Sequence, residues 1–575
     1  MRAQRRIFLY GGAAAVLFAA VWLLTGDSEN IARCVEANRP PVIYPDYSGI
    51  VIPPNLAPLN LQVKEPGRKF CLKISADAGP AITVFSDDGA MRIPPDKWRA
   101  LLRANAGGSV RLDLYAKGDG GWAHFDSLLN RVSAEDIDAY VVYRVIPPVF
   151  NLWQDITIRQ RDLRSFDERV LFDNRRSVDP GGKTALMACV NCHTFLNHRS
   201  DKMLLHVRNG GGKTQGPAMI LVQDGGATKV DTRLGSEPPA AYISWHPGGR
   251  LLAFSRNNLW QMFHTGGGVE VREVLDKDSD LSVYLVGPGK TINLPQISRP
   301  DRLETFPCWS PDGQYLYFCS APLLWEDKKK PSLDKYDKVR YDLVRVSYDV
   351  AAGQWGQVET VISADQLGKS ISLPRISPDG RFLMFCGHKY GSFPIYQPGS
   401  DLYMVDLTAI APPADSRPAQ PQTTAGAASD SHQATSLPDA SSAPAPHVSG
   451  KAVAIRLDAI NSDRCDSYHS WSLNSRWVIF SSKREDGLFT RLYISHVDAD
   501  GQCSKPFLMP QEDPTYYGRC LLVYNVPELI DQAVTVSPAE LTRAMNSATT
   551  RPIVTGATPR RDDSTSQPDE PWQAR

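Results

Sequence analysis

Short segments in which apolar and polar residues alternate dominate this chain, and they predict mainly β-structure. Between residues 68 and 146 the strand-like segments are FCLKISA, AITVFSD, SVRLDLYA and IDAYVVYRVI. One helical pattern interrupts them over residues 94–104. Proline stands in its first turn, where a backbone N–H has no partner within the helix and its absence costs nothing. We therefore expect a small antiparallel β domain over residues 31–150, followed by a connector over residues 151–204.

From residue 205 onward the chain repeats one pattern, a turn followed by an apolar and aromatic strand. Its four copies, spaced by roughly 65 residues where no insertion intervenes, are SWHPGGRLLAFSR (244–256), CWSPDGQYLYFCS (308–320), RISPDGRFLMFCG (375–387) and SWSLNSRWVIFSS (470–482). In S-P-D-G, proline fixes φ, aspartate bonds its own backbone and glycine supplies a positive φ. A ring of blades buries strand faces that a single blade leaves exposed, so the repeats predict a β-propeller of five or six blades over residues 205–535.

Two stretches differ in composition from the rest of this half. Residues 411–450 are rich in Ala, Ser and Pro and almost free of large apolar side chains. Such a segment buries too little surface to offset the entropy of ordering, so we expect a disordered insertion within the propeller. Residues 536–575 combine one short helix signal with a polar end and predict a flexible tail.

The four copies closely resemble the repeats of TolB-like β-propellers, over roughly residues 205–530. The last copy departs from the pattern, because Leu473, Asn474 and Ser475 replace Pro-Asp-Gly. In that family the propeller mostly serves as a binding platform. The resemblance therefore implies interaction with partners rather than chemistry for the ring itself.

The N-terminus indicates where the protein resides. Arg2, Arg5 and Arg6 precede eighteen uncharged residues, Ile7 to Leu24, which as a helix reach about 27 Å and just span a bilayer core. By the positive-inside rule everything after Thr25 is outside the cytoplasm. We expect residues 1–30 to anchor the chain in a bacterial inner membrane, with the bulk in the periplasm. A cleaved signal peptide is the alternative.

Charge and cysteine content limit the partners. The 63 basic and 63 acidic residues cancel, which removes the bulk electrostatic case for nucleic acid as a partner. Ten cysteines suit an oxidising compartment, although the sequence does not fix which of them pair.

The sequence Cys189-Val190-Asn191-Cys192-His193 is a C-x-x-C-H motif. On a helical turn, two thiols at this spacing can add to the two vinyl groups of haem while the adjacent histidine faces the iron. The motif therefore predicts a small helical segment carrying one covalent haem c. A redox dithiol, a plain disulfide and a metal site are the alternatives, although the flanks lack a βαβ pattern and no second C-x-x-C follows.

A sixth iron ligand could come from the segment that follows the motif. Met203 and His206 are three residues apart and would share one face of a short helix. Met203 is slightly preferred, and methionine would raise the reduction potential relative to histidine. The plainer interpretation is that Met203 belongs to the core and that His206 is a hydrogen-bonded scaffold residue.

The combination of YPDYSGIVIPPNLAPLN, CVNCHTF and TFPCWSPDG resembles a group of exported bacterial proteins described as TolB-like or cytochrome c-related. Together these features predict a membrane-anchored, mono-haem electron-transfer protein that docks a redox partner on the propeller or at the haem edge. A propeller scaffold with a structural or sensory haem is the second hypothesis. A peroxidase-like haem enzyme is a distant third, because no convergent acid–base set is visible near the motif.

Overall fold

The computed structural model describes residues 31–147, 155–176, 188–209, 218–231, 240–263, 272–326, 332, 334–410, 447–448, 452–547 and 554–555. The predicted anchor, nearly all of the predicted insertion and most of the predicted tail lie outside these residues. Within them, no helix is long and apolar enough to cross a membrane.

The N-terminal unit consists of a seven-stranded sheet, a three-stranded sheet and one helix. Its elements are β1 (Val35–Glu36), β2 (Ile43–Tyr44), β3 (Val51–Ile52), β4 (Leu61–Val63), β5 (Lys69–Ala76), β6 (Ile82–Ser86), β7 (Ala90–Met91), α1 (Pro95–Ala104), β8 (Ser109–Gly118), β9 (Gly121–His124) and β10 (Leu128–Val132). Strand β8 pairs with β5, β9 and β10 in antiparallel fashion, and β1 adds to β9 in parallel. Helix α1, where the sequence predicts a helix, buries Trp98, whose Nε1 donates to the Leu56 carbonyl at 3.1 Å.

Six further sheets, here named A to F, each contain at least four strands. Their strands are β11 (Tyr140–Ile146), β12 (Thr157–Asp162), β13 (Glu168–Asp173) and β35 (Val523–Ile530) in A; β14 (Ala188–Phe195), β15 (Met203–Asn209), β16 (Ala218–Gln223) and β17 (Gly226–Asp231) in B; β18 (Ala240–Trp245), β19 (Leu251–Phe263), β20 (Arg272–Leu285), β21 (Lys290–Ile292) and β36 (Val554–Thr555) in C; β22 (Arg302–Trp309), β23 (Tyr315–Pro322), β24 (Asp342–Asp349), β25 (Gln354–Ile362) and β29 (His447–Val448) in D; β26 (Ser370–Ile376), β27 (Phe382–His388), β28 (Asp401–Asp406) and β30 (Ile455–Arg456) in E; and β31 (Asp466–Trp471), β32 (Trp477–Ser482), β33 (Arg491–His496) and β34 (Phe507–Leu508) in F. The remaining helices are α2 (Ala364–Leu367), α3 (Tyr516–Arg519) and α4 (Pro538–Asn546).

One strand at the edge of each sheet contacts its counterparts in the two neighbouring sheets. Strands β35, β14, β18, β22, β26 and β31 contact one another in that order, and β31 contacts β35 again. These innermost strands therefore surround a common axis, as in a β-propeller. In sheet A the C-terminal strand β35 pairs with β11 from the N-terminal half, so both ends of the propeller sequence meet in one sheet.

The segment that the sequence predicts as a connector, residues 151–204, instead contributes strands to the propeller. It holds β12 and β13 of sheet A and β14 of sheet B. The sequence predicts a small helical segment around the C-x-x-C-H motif, and this prediction is wrong. Ala188–Phe195 is a strand that pairs with β15. Pairing along this strand satisfies its backbone groups and buries alternate apolar residues, which outweighs the local signal for a helical turn.

The repeated turns form as the sequence predicts. In Ser310–Gly313 the Ser310 hydroxyl donates to Asp312 Oδ1 at 2.5 Å, and Gly313 has φ of 73°. The copy that lacks Pro-Asp-Gly makes the same turn, because Asn474 takes the place of the aspartate and Ser475 adopts φ of 60°. Asparagine bonds its own backbone as aspartate does, so the turn tolerates the exchange.

Every innermost strand carries a β-bulge near its middle. The residues with positive φ at five of these bulges are Tyr242, Phe306, Leu373, Tyr468 and Val526. In β14 the bulge lies between Val190 and Cys192. A bulge re-aims the neighbouring side chains, so this repeated irregularity shapes the channel at the level of the C-x-x-C-H motif.

Candidate functional site at the mouth of the propeller

The C-x-x-C-H motif lies on β14, the innermost strand of sheet B. Successive side chains of a strand point to opposite faces, so Cys192 and His193 lie on opposite faces of the sheet. Cys192 is partly exposed and is not in a disulfide, whereas only 2% of the His193 surface is exposed. The two residues that should approach one haem are therefore separated by the sheet.

His193 is engaged with sheet A. Its Nε2 lies 3.3 Å from the Val142 carbonyl oxygen and donates to it, whereas Nδ1 has no hydrogen-bond partner among the described residues. Burial lowers the pKa of the His193 imidazole to about 3, so the ring is neutral at pH 7. The ring nitrogen that iron would need in a haem c protein is the one that already donates to a carbonyl.

The two candidate sixth ligands lie on β15, a strand rather than the expected helix, and they face in opposite directions. Met203 pairs with Phe195 and is fully buried in the apolar cluster between sheets A and B. His206 pairs with Cys192 and is also fully buried. Met203 is thus a core residue, as the plainer interpretation has it. Of the two candidates, His206 is the one that shares a face of the sheet with Cys192.

Aromatic residues from four other sheets, C to F, form a group that reaches Cys192 through Tyr468. The Tyr242 ring lies 4.3 Å from that of Phe306 and 6.4 Å from that of Phe393, which in turn lies 6.4 Å from the Tyr396 ring. Burial raises the pKa of the neighbouring Tyr468 phenol, and Tyr396 and Cys192 contribute to this increase. We call Cys192, Tyr242, Phe306, Phe393, Tyr396 and Tyr468 the mouth cluster.

Three basic side chains border the mouth cluster. Arg272 Nη1 donates to the Tyr396 hydroxyl at 3.2 Å, and the Lys483 ammonium lies 5.9 Å from the centre of the Tyr396 ring. Arg144 lowers the pKa of the Tyr468 phenol, partly opposing the effect of burial. The rings are tilted to one another, by 58° between Tyr242 and Phe306 and by 66° between Tyr242 and Phe393, so they line a pocket rather than a flat wall. Aromatic rings with cations at their edge favour an apolar or aromatic ligand that carries negative charge.

The position of the mouth cluster follows from the fold. Arg272, Tyr396 and Lys483 belong to, or directly flank, the connections between the second and third strands of sheets C, E and F. In a four-stranded antiparallel blade these connections lie at the end where the innermost strand begins. Side chains that are distant in sequence therefore meet at one mouth of the channel, next to β14.

These residues fit a haem only in part. Cys192 and the mouth cluster offer a thiol, aromatic walls and positive charge, which suit the vinyl group, the ring and the propionates of a haem. His193 does not fit as an axial ligand in this arrangement, because it lies on the other face with Nε2 bonded to Val142. The side chain of Cys189 lies outside the described residues.

Sequence reasoning missed the aromatic part of the site, although a signal was present. Tyr242, Phe306 and Tyr468 each stand three residues before the tryptophan of a repeat. That recurring position coincides with the positive-φ bulge of the innermost strands. An aromatic residue at a repeated, strained position marks a surface that the channel shares between blades.

No family model matches this chain, and no curated protein does so. Among solved structures, it is similar to prolyl oligopeptidase B from Galerina marginata at 10% identity and a TM-score of 0.32, with 70% of this chain and 42% of that chain covered. It is also similar to a luciferin-regenerating enzyme, at 10% identity and a TM-score of 0.29 over 64% of this chain and 92% of that one.

A third similar structure is dipeptidyl peptidase 4 from Porphyromonas gingivalis, at 11% identity and a TM-score of 0.26. It matches 62% of this chain and 50% of its own. Since the chain spans about two fifths of prolyl oligopeptidase B and all three scores are low, these likenesses carry no argument about activity.

Proposed function

We propose that this protein is a periplasmic haem c protein in which Cys189 and Cys192 attach one haem at the mouth of a TolB-like, six-bladed propeller. The observation that carries the proposal is the position of Cys192, a motif thiol that lies partly exposed beside an aromatic and basic cluster. When bound, the haem would supply one-electron transfer. The function is electron transfer to a redox partner that docks at the same mouth.

The protein's own residues would have separate tasks. The rings of Tyr242, Phe306 and Phe393 would cover a planar face and exclude water from it. Arg272 and Lys483 would contribute positive charge at the edge of the channel, which favours an acidic partner there. In this proposal the N-terminal segment anchors the chain in the inner membrane and keeps the mouth in the periplasm.

Haem attachment implies a second arrangement of the motif. For His193 to ligate iron, its Nε2 has to leave the Val142 carbonyl and residues 188–193 have to turn out of the β14–β15 ladder. Met203 and His206 then remain the candidates for the sixth position. The strand form described above is the form that we assign to the haem-free chain.

The test is co-expression of the full chain with a c-type haem maturation system, followed by haem staining of denaturing gels and a pyridine haemochrome spectrum. We expect one covalent haem per chain. Cys192→Ser should remove one thioether bond and change the spectrum, whereas the matched variant Cys503→Ser, on another partly exposed cysteine, should leave it unaltered. Wild-type protein without covalent haem would refute the proposal.

A second candidate, a propeller scaffold that binds partners without needing haem, is favoured by one observation. His193 is already buried and hydrogen-bonded as a structural residue. If scaffolding is the function, a His193→Gln variant that keeps the donor role should bind the same periplasmic partners after crosslinking. Loss of partner binding together with loss of haem would instead favour electron transfer.

A further inference from the structure

A group of metal-binding side chains lies in the N-terminal unit, away from the candidate site. The Cys34 thiol, a Glu36 carboxylate oxygen and a His124 ring nitrogen all lie within 4.8 Å of one another. The carboxylate of Glu36 and Nδ1 of His124 are 2.9 Å apart. Among the described residues this is the one such group of histidine, cysteine and acidic side chains.

The topology of the sheet produces this convergence. Strands β1 and β9 are parallel, with Glu36 directly opposite His124. Cys34 stands two residues before Glu36 and directly precedes β1, and residues two apart along a strand point to the same face. Glu36 and His124 are 88 residues apart in sequence, so their meeting depends on the fold.

The surroundings of His124 hold its ring in a ligating orientation. The ring of Tyr115 stacks on it at 4.6 Å, and Asp113 Oδ1 lies 3.6 Å from His124 Nε2. Asp113 is itself buried and fixed, since Ser127 Oγ donates to its Oδ1 at 2.5 Å. A carboxylate behind the distal nitrogen of a histidine is the usual support of a metal-bound imidazole.

We propose that Cys34, Glu36 and His124 bind a zinc ion through Sγ, a carboxylate oxygen and Nδ1. Thiolate, imidazole and carboxylate together suit Zn²⁺, which favours tetrahedral coordination by these ligand types. Ligand bonds of about 2.0 to 2.3 Å place the ligand atoms of a tetrahedral site roughly 3.3 to 3.8 Å apart. The Glu36 carboxylate and His124 Nδ1, 2.9 Å apart, therefore separate slightly, and the Cys34 thiol, which lies within 4.8 Å of both, takes the third position. The fourth position faces solvent beside the exposed Glu36, and it accepts water or a small ligand.

The proposed ion has a structural consequence. It ties the segment around Cys34 to strand β9, where the described pairing consists of only two residues on each strand. Two residue pairs give a weak attachment, because short edge strands fray readily. Zinc would therefore fix the chain at the point where it enters the N-terminal unit.

The experiment uses the full chain, stripped of metal by a chelator under reducing conditions. Zn²⁺ titration by calorimetry should give one site per chain, and Co²⁺ should give the visible bands of a tetrahedral site together with a thiolate-to-cobalt charge-transfer band. Cys34→Ser should remove the charge-transfer band, and His124→Gln should abolish binding. Asp113→Asn should weaken affinity by about 10- to 100-fold while it leaves the ligands in place.

Two controls make the result unambiguous. Cys503→Ser should bind as the wild type does, which shows that removing a partly exposed cysteine is not itself harmful. Cys192→Ser removes the proposed haem attachment and should leave zinc binding unchanged, so the two proposals can fail separately. The inference is overturned if Cys34→Ser and His124→Gln, shown to be folded by circular dichroism, bind zinc with wild-type affinity, or if no site is found.

Discussion

Asp276 makes a buried polar contact whose effect on stability can be calculated. The residue is 5% exposed, and its Oδ2 accepts hydrogen bonds from Asn257 Nδ2 at 2.7 Å and from the Tyr341 hydroxyl at 3.3 Å. Burial, partly opposed by hydrogen bonds, raises the pKa of Asp276 to about 8. In the unfolded chain the same carboxyl has an ordinary pKa of about 4.

The sign of the effect follows from proton binding. Between pH 4 and pH 8 the folded chain holds a proton on Asp276 that the unfolded chain has released. The free energy of unfolding therefore falls as the pH rises through this interval, by roughly 1.4 kcal/mol per unit from this group. Asp276→Asn is neutral at every pH and keeps an acceptor for Asn257. The variant should therefore gain about 3 kcal/mol relative to the wild type between pH 5 and pH 7.

The assay is urea-induced unfolding of both proteins at pH 5, 6 and 7, followed by tryptophan fluorescence and by far-ultraviolet circular dichroism. Only the difference between the two proteins matters, because every other titrating group is common to both. Asp500→Asn, which replaces an exposed aspartate in a turn of another sheet, is the control for the exchange of aspartate for asparagine itself. An unfolding free-energy difference between Asp276→Asn and wild type that stays constant with pH would refute the assignment.

Three further predictions concern packing, acid stability and closure of the propeller. Gly313→Ala should lose about 2 kcal/mol or more in urea unfolding, because φ is 73° and an added Cβ would lie 2.4 Å from His246 Nε2. At Gly353 φ is 67°, and an added Cβ would meet no atom within 4 Å. Gly353→Ala should therefore lose only the part of this free energy that comes from the strained backbone. Burial lowers the pKa values of His193 and His469 to about 3 and that of His388 to about 4. As the pH falls from 6.5 to about 4, these three histidines bind protons in the unfolded chain but not in the folded one. Their contribution should lower the free energy of unfolding by roughly 4 kcal/mol per pH unit. In a folded His469→Gln variant, about a third of this slope should be absent. Truncation after residue 522 removes β35, which pairs with β11. Hydrogen exchange followed by mass spectrometry should then show rapid exchange of the β11 amides. The β8 amides should stay protected, because β8 pairs with β5 and not with β35.

The repeated hairpins could be predicted from sequence because their determinants are local. Each turn needs four adjacent residues, and the following strand needs an alternating pattern of about six, so the signal lies within one window. The closing sheet lacked such a signal. Strand β35 pairs with β11 across more than half the chain, and its sequence VYNVPELI contains a proline that argues against a strand when the bulge is unknown.

The chemistry of the candidate site was more visible in the sequence than its geometry. Cys192 and His193 can be recognised as motif residues from residue type and spacing alone, and both can be read directly from the sequence. Whether the motif forms a turn or a strand depends on β15, which offers a complete ladder of partners. The rings around Cys192 come from sheets C, D, E and F, and no window of sequence brings these together.

The strand form of the C-x-x-C-H motif and the proposed haem-bound form would exclude each other for a physical reason. In the strand form the Val142 carbonyl accepts a hydrogen bond from His193 Nε2, and desolvation keeps that imidazole neutral. Iron also binds a neutral imidazole, so a change of pH that protonates or deprotonates His193 would not convert one form into the other. The strand form is favoured by one hydrogen bond and the strand pairing, whereas the haem-bound form would be favoured by the iron bond and two thioethers. Covalent bonds do not dissociate, so a haem once attached would hold residues 188–193 out of the ladder permanently. If haem is attached as proposed, the order of attachment and folding would therefore decide which form the chain adopts. Hydrogen exchange of β14 should be slow in protein made without haem maturation and fast in protein that carries haem, and equal protection in both would show that the strand and the haem coexist.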